Sequence, residues 1–409
     1  MSHPQDAVGL DAGAVDLLKL LADRTPRTRA EIARLTGASR STVFNRINAL
    51  RRAGLVAAVG EGSSTGGRPS TRFALNDRAR TVGAMQIGRR HCTVAVADLG
   101  SGILARERFD IRLSDGPEVV LDRAAEELER LIRELPAEYG PVAVITVGVS
   151  SPIDPTTGLI FNVSPMPNWS AFALEPWLRA RFAVDILIDN DATLMAIGEQ
   201  AAHYPSAEDL MFVTASNGIG LGLILRGSAY SGAHGLAGDI GHLPVRRPDA
   251  DVPCNCGNTG CLVAVASSDA IFSELRSRGV QAENAQDLFA LVRDGDVTTA
   301  HVLRRAGRDL GDVLTSCVTL LNPSVLVVGG FLAFAGDHLM AGIREVLFAR
   351  SIPHITDSLT IAKTQTERDA SITGAAIHGA LWTLRQENIT RLLATAPAGG
   401  ARQASTAAG

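Results

Sequence analysis

The sequence predicts an α/β protein with two lobes, preceded by a small basic domain made of helices. From residue 81 onward, short apolar runs of strand length alternate with helical patterns, and the order of strands followed by helices occurs twice, which is typical of two α/β units. Residues 1–80 carry 13 Lys and Arg against 7 Asp and Glu, whereas the remainder has a net charge of −10. This uneven charge indicates a polyanionic partner for the first segment alone.

Length and composition limit the class of protein. The chain has 409 residues, enough for two or three domains. It contains no apolar run near the ~20 residues that a membrane span requires, and its first residues lack the basic and apolar regions of an export signal. Only five cysteines occur, without the spacing of a disulfide framework. We therefore expect a cytoplasmic protein with no membrane partner.

Three helices are predicted in the basic segment. Thr28 is placed to cap the second helix, and Gly37 is placed to end it. Two helices joined by a tight turn, the latter with a basic outer face, are typical of a helix-turn-helix domain. The alternative is a small helical domain with a solvated basic face. The predicted helices cover residues 14–21, 29–35 and 39–53.

The third helix is the predicted recognition helix, which would enter the major groove of double-stranded DNA. Val43, Ile47 and Leu50 form its apolar stripe. Its outer face offers hydroxyls and an amide for base edges, with arginines for guanine or phosphate. The predicted DNA contacts on this helix are Arg40, Ser41, Thr42, Asn45, Arg46 and Arg51.

A wing is predicted after the recognition helix. Residues 55–59 and 71–75 have the pattern of strands, and the loop between them reads GEGSSTGGRPS. Gly67 and Arg68 would place a guanidinium on a stiff, slender tip that fits a narrow, A·T-rich minor groove. The sequence thus predicts a winged helix-turn-helix.

Each lobe of the body is predicted to open with three strands. A ligand cleft between the lobes is expected, because ligands of such folds bind beyond the carboxyl ends of the strands. The predicted organisation is a DNA-binding domain at 1–80, a first lobe at 81–193 completed by a C-terminal helix at about 371–390, a second lobe at 194–370 and a disordered tail at 394–409.

Four potential metal ligands lie close together in the second lobe. They are His242, Cys254, Cys256 and Cys261, in a segment rich in Gly and Pro. One imidazole and three thiolates form a soft, four-donor set that suits tetrahedral zinc, and a set without a vacant position predicts a structural ion. The alternative is a group of reduced cysteines in a turn, or a disulfide.

Several motifs resemble those of the ROK family of repressors, uncharacterised open reading frames and sugar kinases. The resemblance implies an actin-like, or ribonuclease-H-like, body of two lobes. It also implies zinc at His242 and the three cysteines, and it places Asp191 where the kinases have their catalytic base. A sugar pocket is implied around Asp191, Asp239 and His242, and Asn190 is a further candidate effector residue. A phosphosugar effector is a separate hypothesis, based on the charge of Arg89 and Arg90 alone. The motifs are the GGRPS wing, NDA at 190–192, GLAGDIGH at 235–242, CNCGNTGC at 254–261 and NPSVLVVGG at 322–330.

Departures from the kinase pattern predict that the chain is not an enzyme. The first phosphate loop, Asp-x-Gly-Gly-Thr in kinases, reads Gln-Ile-Gly-Arg-Arg at 86–90, and the second reads Ser-Asn-Gly-Ile-Gly at 216–220. The metal-binding acid and the small residues near phosphate are therefore missing. The sugar-binding pattern is altered too, with Asp239 and Val263 in place of glutamates and Pro165 in place of an asparagine.

Two positions keep alternative interpretations. Asp191 either contacts a ligand or caps the following helix. Arg89 and Arg90 either meet an anionic effector or lie in a solvated turn. The hypothesis that best fits the whole chain is a ROK transcriptional repressor, dimeric or tetrameric, on a palindromic operator with A·T-rich flanks. The alternatives are a sugar kinase and a DNA-binding protein that responds to no ligand.

Overall fold

A computed structural model of the protein describes residues 11–61, 70–154, 157–161, 169, 172–247, 249–366 and 369–394. Gly67 and Arg68 of the predicted wing lie outside these residues, as do Pro165 and residues 395–409 of the predicted tail.

The N-terminal domain contains the three predicted helices, and local capping explains where they begin. Thr28 and Glu31 form a reciprocal capping box, and Gly37 ends the second helix in the left-handed conformation. Ser39 accepts a hydrogen bond from the Thr42 N–H and so starts the third helix. The helices are α1 (Ala12–Leu21), α2 (Arg29–Thr36) and α3 (Arg40–Arg52).

A three-stranded antiparallel sheet completes this domain, in the order β1-β3-β2. The two predicted wing strands are confirmed, and the short β1 in front of α2 is an addition that the sequence did not predict. The strands are β1 (Arg27–Thr28), β2 (Val56–Glu61) and β3 (Thr71–Leu75).

The first lobe is a five-stranded sheet in the order β6-β5-β4-β7-β8. Strands β4 and β5 pair antiparallel, whereas β4, β7 and β8 run parallel. The strands are β4 (Thr81–Ile87), β5 (His91–Asp98), β6 (Ile103–Asp110), β7 (Val142–Val149) and β8 (Asp185–Asn190). The associated helices are α4 (Pro117–Glu134), α5 (Leu174–Phe182) and α6 (Asp191–His203).

The second lobe repeats this plan, with the sheet order β11-β10-β9-β12-β13. Its strands are β9 (Leu210–Ala215), β10 (Ile219–Leu225), β11 (Ser228–Ala229), β12 (Val325–Gly329) and β13 (Thr360–Lys363). Its helices are α7 (Leu262–Ala266), α8 (Ser268–Ser277), α9 (Ala285–Arg293), α10 (Val297–Leu321), α11 (His338–Arg350) and α12 (Pro353–Ser358).

Helices α6 and α13 (Ala370–Thr383) lie between the two sheets. One apolar cluster joins Ala84 of the first sheet, Phe212 of the second and Leu194 of α6. The two helices approach closely, since a Cβ on Gly374 would overlap the Leu194 carbonyl oxygen. This pair therefore forms the connection between the lobes.

The predicted C-terminal helix at about 371–390 is divided into two helices, of which the first, α13, lies in the body as expected. Helix α13 ends at Thr383, and a separate helix α14 (Gln386–Ala394) follows. The Asn388 side chain donates to the Trp382 carbonyl, which satisfies one acceptor at the end of α13. Leu384 and Ile389 are then buried in the core of the N-terminal domain, together with Leu99 from the β5–β6 turn.

Candidate functional site

The predicted recognition helix α3 packs as expected. Val43, Ile47 and Leu50 are fully buried. At 100° per residue the opposite face carries residues spaced by four, three and four positions. These residues are Ser41, Asn45, Asn48 and Arg52. Asn48 was missed by the sequence analysis, although the same helical spacing identifies it.

The other predicted DNA contacts differ in their surroundings. Arg40 and Arg51 are exposed, whereas Thr42 and Arg46 are half-buried. The Arg46 guanidinium pairs with Asp11 in front of α1, with Nε 3.0 Å and Nη2 2.8 Å from the carboxylate. This hydrogen bond also lowers the pKa of Asp11. Arg46 therefore ties α3 to α1, and it would have to leave this pair to reach DNA.

The candidate metal centre brings His242 together with Cys254, Cys256 and Cys261. Their ligand atoms all lie within 4.8 Å of one another. His242 Nδ1 is 3.6 Å from Cys254 Sγ, and Cys256 Sγ is 3.6 Å from Cys261 Sγ. The disulfide alternative does not hold, because these thiols are free and a disulfide bond is ~2.05 Å long. The cluster has the donor number and chemistry of a metal site.

Local chain geometry positions these four side chains. His242 ends a short turn of 3₁₀ helix, and Cys261 directly precedes α7. Between them, Gly257 and Gly260 adopt positive φ angles of 92° and 71°, which favour glycine. The pKa of Cys256 is lowered to about 7, chiefly by the backbone N–H of Asn258, which favours the thiolate that binds metals. Burial has the opposite effect on Cys261 and raises its pKa to about 12.

The predicted effector residues Asn190 and Asp191 have different roles at the start of α6. Asn190 is the helix cap: its Oδ1 accepts from the Ala192 N–H at 2.9 Å, and its Nδ2 donates to the Ser151 carbonyl at 3.0 Å. The capping interpretation of Asp191 is therefore wrong, because the preceding residue fills that position. Asp191 instead accepts from Ser150 Oγ at 2.5 Å. Burial raises the pKa of its carboxyl.

Strand β10 brings the second pair of predicted effector residues, Asp239 and His242, near the start of α6. Ala192 packs against Gly222, while Gly238 approaches the Leu221 carbonyl of the same strand. A Cβ on either glycine would overlap the neighbouring backbone. Gly222 and Gly238 therefore serve close packing, whereas a Cβ on Gly218, in the segment that resembles the second phosphate loop, would meet nothing within 4 Å. Burial raises the pKa of Asp239, and the nearby His242 opposes that rise.

A buried carboxylate farther along α6 was missed by the sequence analysis. Glu199 is fully buried and accepts hydrogen bonds from Thr364 Oγ1 at 2.6 Å, Thr366 Oγ1 at 2.6 Å and the Gln365 N–H at 2.9 Å. These donors lie between β13 and α13. Because the helix that begins at Asp191 also carries Glu199, it links the cleft directly to the segment that precedes α13. No local signal identifies this role, since the partners are 165 or more positions away.

The end of β4 and the turn that follows it lack the metal-binding acid that the kinases have there. Gln86 lies near the end of β4 and is nine-tenths buried. Its amide lacks the negative charge of a carboxylate, so it is a weaker ligand for a divalent metal ion that is held through carboxylates. Arg89 and Arg90 follow it with exposed side chains. Within the described residues, no helix is both long and apolar enough to cross a membrane.

A helix-turn-helix domain joined to a two-lobed body and a His–Cys₃ cluster defines a class, the DNA-binding regulators built on a kinase-like fold. Residues 82–381 match the ROK family model, and residues 14–60 match the model of the IclR helix-turn-helix domain. The chain belongs to the ROK family.

Similar proteins include both regulators and kinases. The chain is 26% identical over 362 residues to the xylose repressor of Bacillus spizizenii, covering 88% of this chain and 92% of that protein. It is 27% identical over 319 residues to a glucokinase of Halalkalibacterium halodurans, covering 74% of this chain and 94% of the kinase. A solved ROK family transcriptional regulator, a homologue of the E. coli MLC protein, matches with a TM-score of 0.79 and 24% identity over 95% of this chain and 99% of that one. The fold and the transcription-regulator class predicted from sequence are thus confirmed.

Proposed function

We propose that this protein represses transcription by binding a palindromic DNA operator, and that a sugar-derived effector in the cleft relieves the repression. The observation that carries this proposal is the exposed face of α3, in a domain that matches a helix-turn-helix model and is fused to a ROK body. The xylose repressor of Bacillus spizizenii is similar to this chain over 92% of its own length, which supports the proposal. Kinase activity is not part of the proposal, because Gln86 replaces the metal-binding acid.

In this proposal, DNA is read by the outer face of α3. Ser41, Asn45 and Asn48 face base edges, with an asparagine amide suited to adenine. Arg40, Arg51 and Arg52 contact phosphates, and Gly67 and Arg68 of the wing reach a minor groove with A·T-rich flanks. Two copies of the chain, as a dimer or within a tetramer, would match the two halves of a palindrome.

The proposed metal is a structural zinc ion held by His242, Cys254, Cys256 and Cys261. The donor set of one imidazole and three thiols supports zinc over harder cations, which prefer oxygen ligands. With all four positions supplied by the protein, the ion would stabilise the loop between β11 and α7 rather than take part in chemistry.

The proposed effector site lies around Asp191 and Asp239, whose carboxylates accept hydrogen bonds from sugar hydroxyls. Asn190 has a supporting role, since both ends of its amide are engaged within the protein. His242 contributes to the metal cluster first. Val263 offers no hydrogen bond where the kinases have a glutamate, so a ligand with a different pattern of hydroxyls is expected.

Selection of DNA fragments by the full-length protein, followed by binding titrations, tests the proposal. We expect one palindromic motif.

Asn48→Ala should reduce the affinity for this motif by about tenfold to hundredfold and relax specificity at one position. Arg52→Ala should weaken binding to all DNA sequences by a similar factor. It should also reduce the slope of log K against log salt concentration by about one. Arg68→Ala should matter most at A·T-rich flanks. Arg276→Ala, exposed on the body, is the control.

Titration of the bound complex with a panel of sugars and sugar phosphates tests the effector. Release of DNA by one of them, lost in Asp191→Asn, would support the proposed response. Failure of the whole panel would favour a DNA-binding protein that senses no ligand. ATP-dependent phosphorylation of any sugar by the purified protein would overturn the assignment as a regulator without kinase activity.

A further inference from the structure

Two turns, one from each lobe, meet at a single carboxylate. Residues 88–90 join β4 to β5 in the first lobe, and residues 216–218 join β9 to β10 in the second. Arg89 Nη1 lies 3.7 Å from Asp269 Oδ2. Asn217 Nδ2 donates to the other oxygen of the same carboxylate at 3.2 Å. Asp269 therefore receives a charged group from the first lobe and an amide from the second.

Asp269 is held firmly on the second lobe. It lies in the first turn of α8, which Ser267 caps, and the Ser268 N–H donates to the Ser216 carbonyl at 2.9 Å. Ser216 Oγ in turn accepts from the Phe331 N–H at 3.3 Å. Three segments of the second lobe are thus joined under the carboxylate, so separation of the lobes would pull Arg89 away from Asp269.

The surroundings of this contact suit a reversible interaction. The Arg89 and Asp269 side chains are 42% and 57% exposed, and solvent keeps the free energy of such pairs small. A small free energy suffices to change the populations of two states that are close in stability. Among the described residues, the lobes are also connected through α6 and α13 and by the ion pair of Arg106 with Asp369. The contact at Asp269 is a separate one, between the turns at residues 88–90 and 216–218.

We propose that Arg89, Asp269 and Asn217 form an interlobe latch that holds the cleft closed when no ligand is bound. Arg89 thus has a partner within the protein, while its side chain also remains accessible to solvent. Opening the cleft breaks the contact between Arg89 and Asp269 and leaves the one between Asp269 and Asn217 intact. The latch goes beyond the proposed function, and its measurement requires neither DNA nor an effector.

Hydrogen exchange of the full-length protein tests the latch through a double-mutant cycle. Arg89→Glu places like charges together and should raise exchange at residues 216–218 and at the start of α8 by about threefold to fivefold. The radius of gyration from X-ray scattering should rise as well. Addition of Asp269→Asn should remove most of the effect of Arg89→Glu, because the repulsion is gone. Arg90→Glu, with the same charge change one residue along, should leave exchange unchanged.

Two results would overturn the latch. If Arg89→Glu and Arg90→Glu behave alike, the position of the charge is irrelevant and the pair does not hold the lobes. If Arg89→Glu has the same effect with and without Asp269→Asn, then Arg89 acts through a group other than Asp269. The milder Arg89→Gln covers the case in which the charge reversal disturbs folding, and it should raise exchange in the same segments by a smaller factor.

Discussion

The loop that carries His242, Cys254, Cys256 and Cys261, here called the metal loop, follows the family pattern closely. The cleft between the lobes departs from that pattern. In the metal loop all four donors are present and converge within 4.8 Å. In the cleft, Gln86 and Val263 replace acidic residues, and Arg89 enters a turn where kinases have small residues. The comparison shows that the donor set of the metal loop is complete, whereas acidic residues of both the phosphate-binding and the sugar-binding patterns of the kinases are replaced in the cleft.

The largest effect on stability is expected from removal of a ligand in the metal loop. Cys256→Ser should release the ion and lower the free energy of unfolding by more than about 4 kcal/mol, because loss of a structural metal leaves the loop without its main constraint. Elemental analysis together with thermal unfolding measures both quantities. Cys317→Ser, a half-buried free thiol on α10 outside the cluster, is the matched control. Full zinc occupancy in the Cys256 variant would contradict the ligand set.

A smaller effect on stability is expected where Glu199 of α6 binds the segment that precedes α13. Glu199→Gln keeps the shape of the side chain but sets an amide against donors that require an acceptor. We expect a loss of about 2–3 kcal/mol in unfolding free energy, measured by chemical denaturation. Glu208→Gln, exposed just beyond α6, should be neutral. Equal stability of both variants would show that the carboxylate is not needed to hold residues 364–366.

The smallest effect on stability is expected at Asp191. Burial raises the pKa of its carboxyl in the folded state. The stabilisation linked to this group is therefore fully present below the unfolded pKa and is lost as pH rises through the folded pKa. The melting temperature of Asp191→Asn, measured relative to that of the wild type, should therefore increase slightly as the pH is raised. The same variant should lose the proposed response to the effector. Melting curves across pH, with the exposed Asp16→Asn as control, test the sign. A constant difference at every pH would contradict it.

Local patterns in the sequence predicted most helices and strands. The contacts between distant parts of the chain could not be predicted in this way. The apolar stripe of Val43, Ile47 and Leu50 and the cap at Thr28 depend on neighbours a few residues away, so they were predictable. The metal cluster was predictable as well, because its cysteines lie within eight residues. By contrast, the Arg46–Asp11 pair spans 35 positions. The placement of α14 against the first domain depends on packing that no local pattern records.

The contribution of α14 to the N-terminal core bears on how the protein is made. The helix-turn-helix is synthesised before Leu384 and Ile389, although these two residues contribute to its core. A nascent or truncated chain therefore has a DNA-binding domain with an apolar wall missing. We expect the operator to be bound only by chains whose synthesis has passed residue 389. Segments on both sides of the two-lobed body in the sequence thus form one folding unit, and the DNA-binding domain is complete only when α14 has been made.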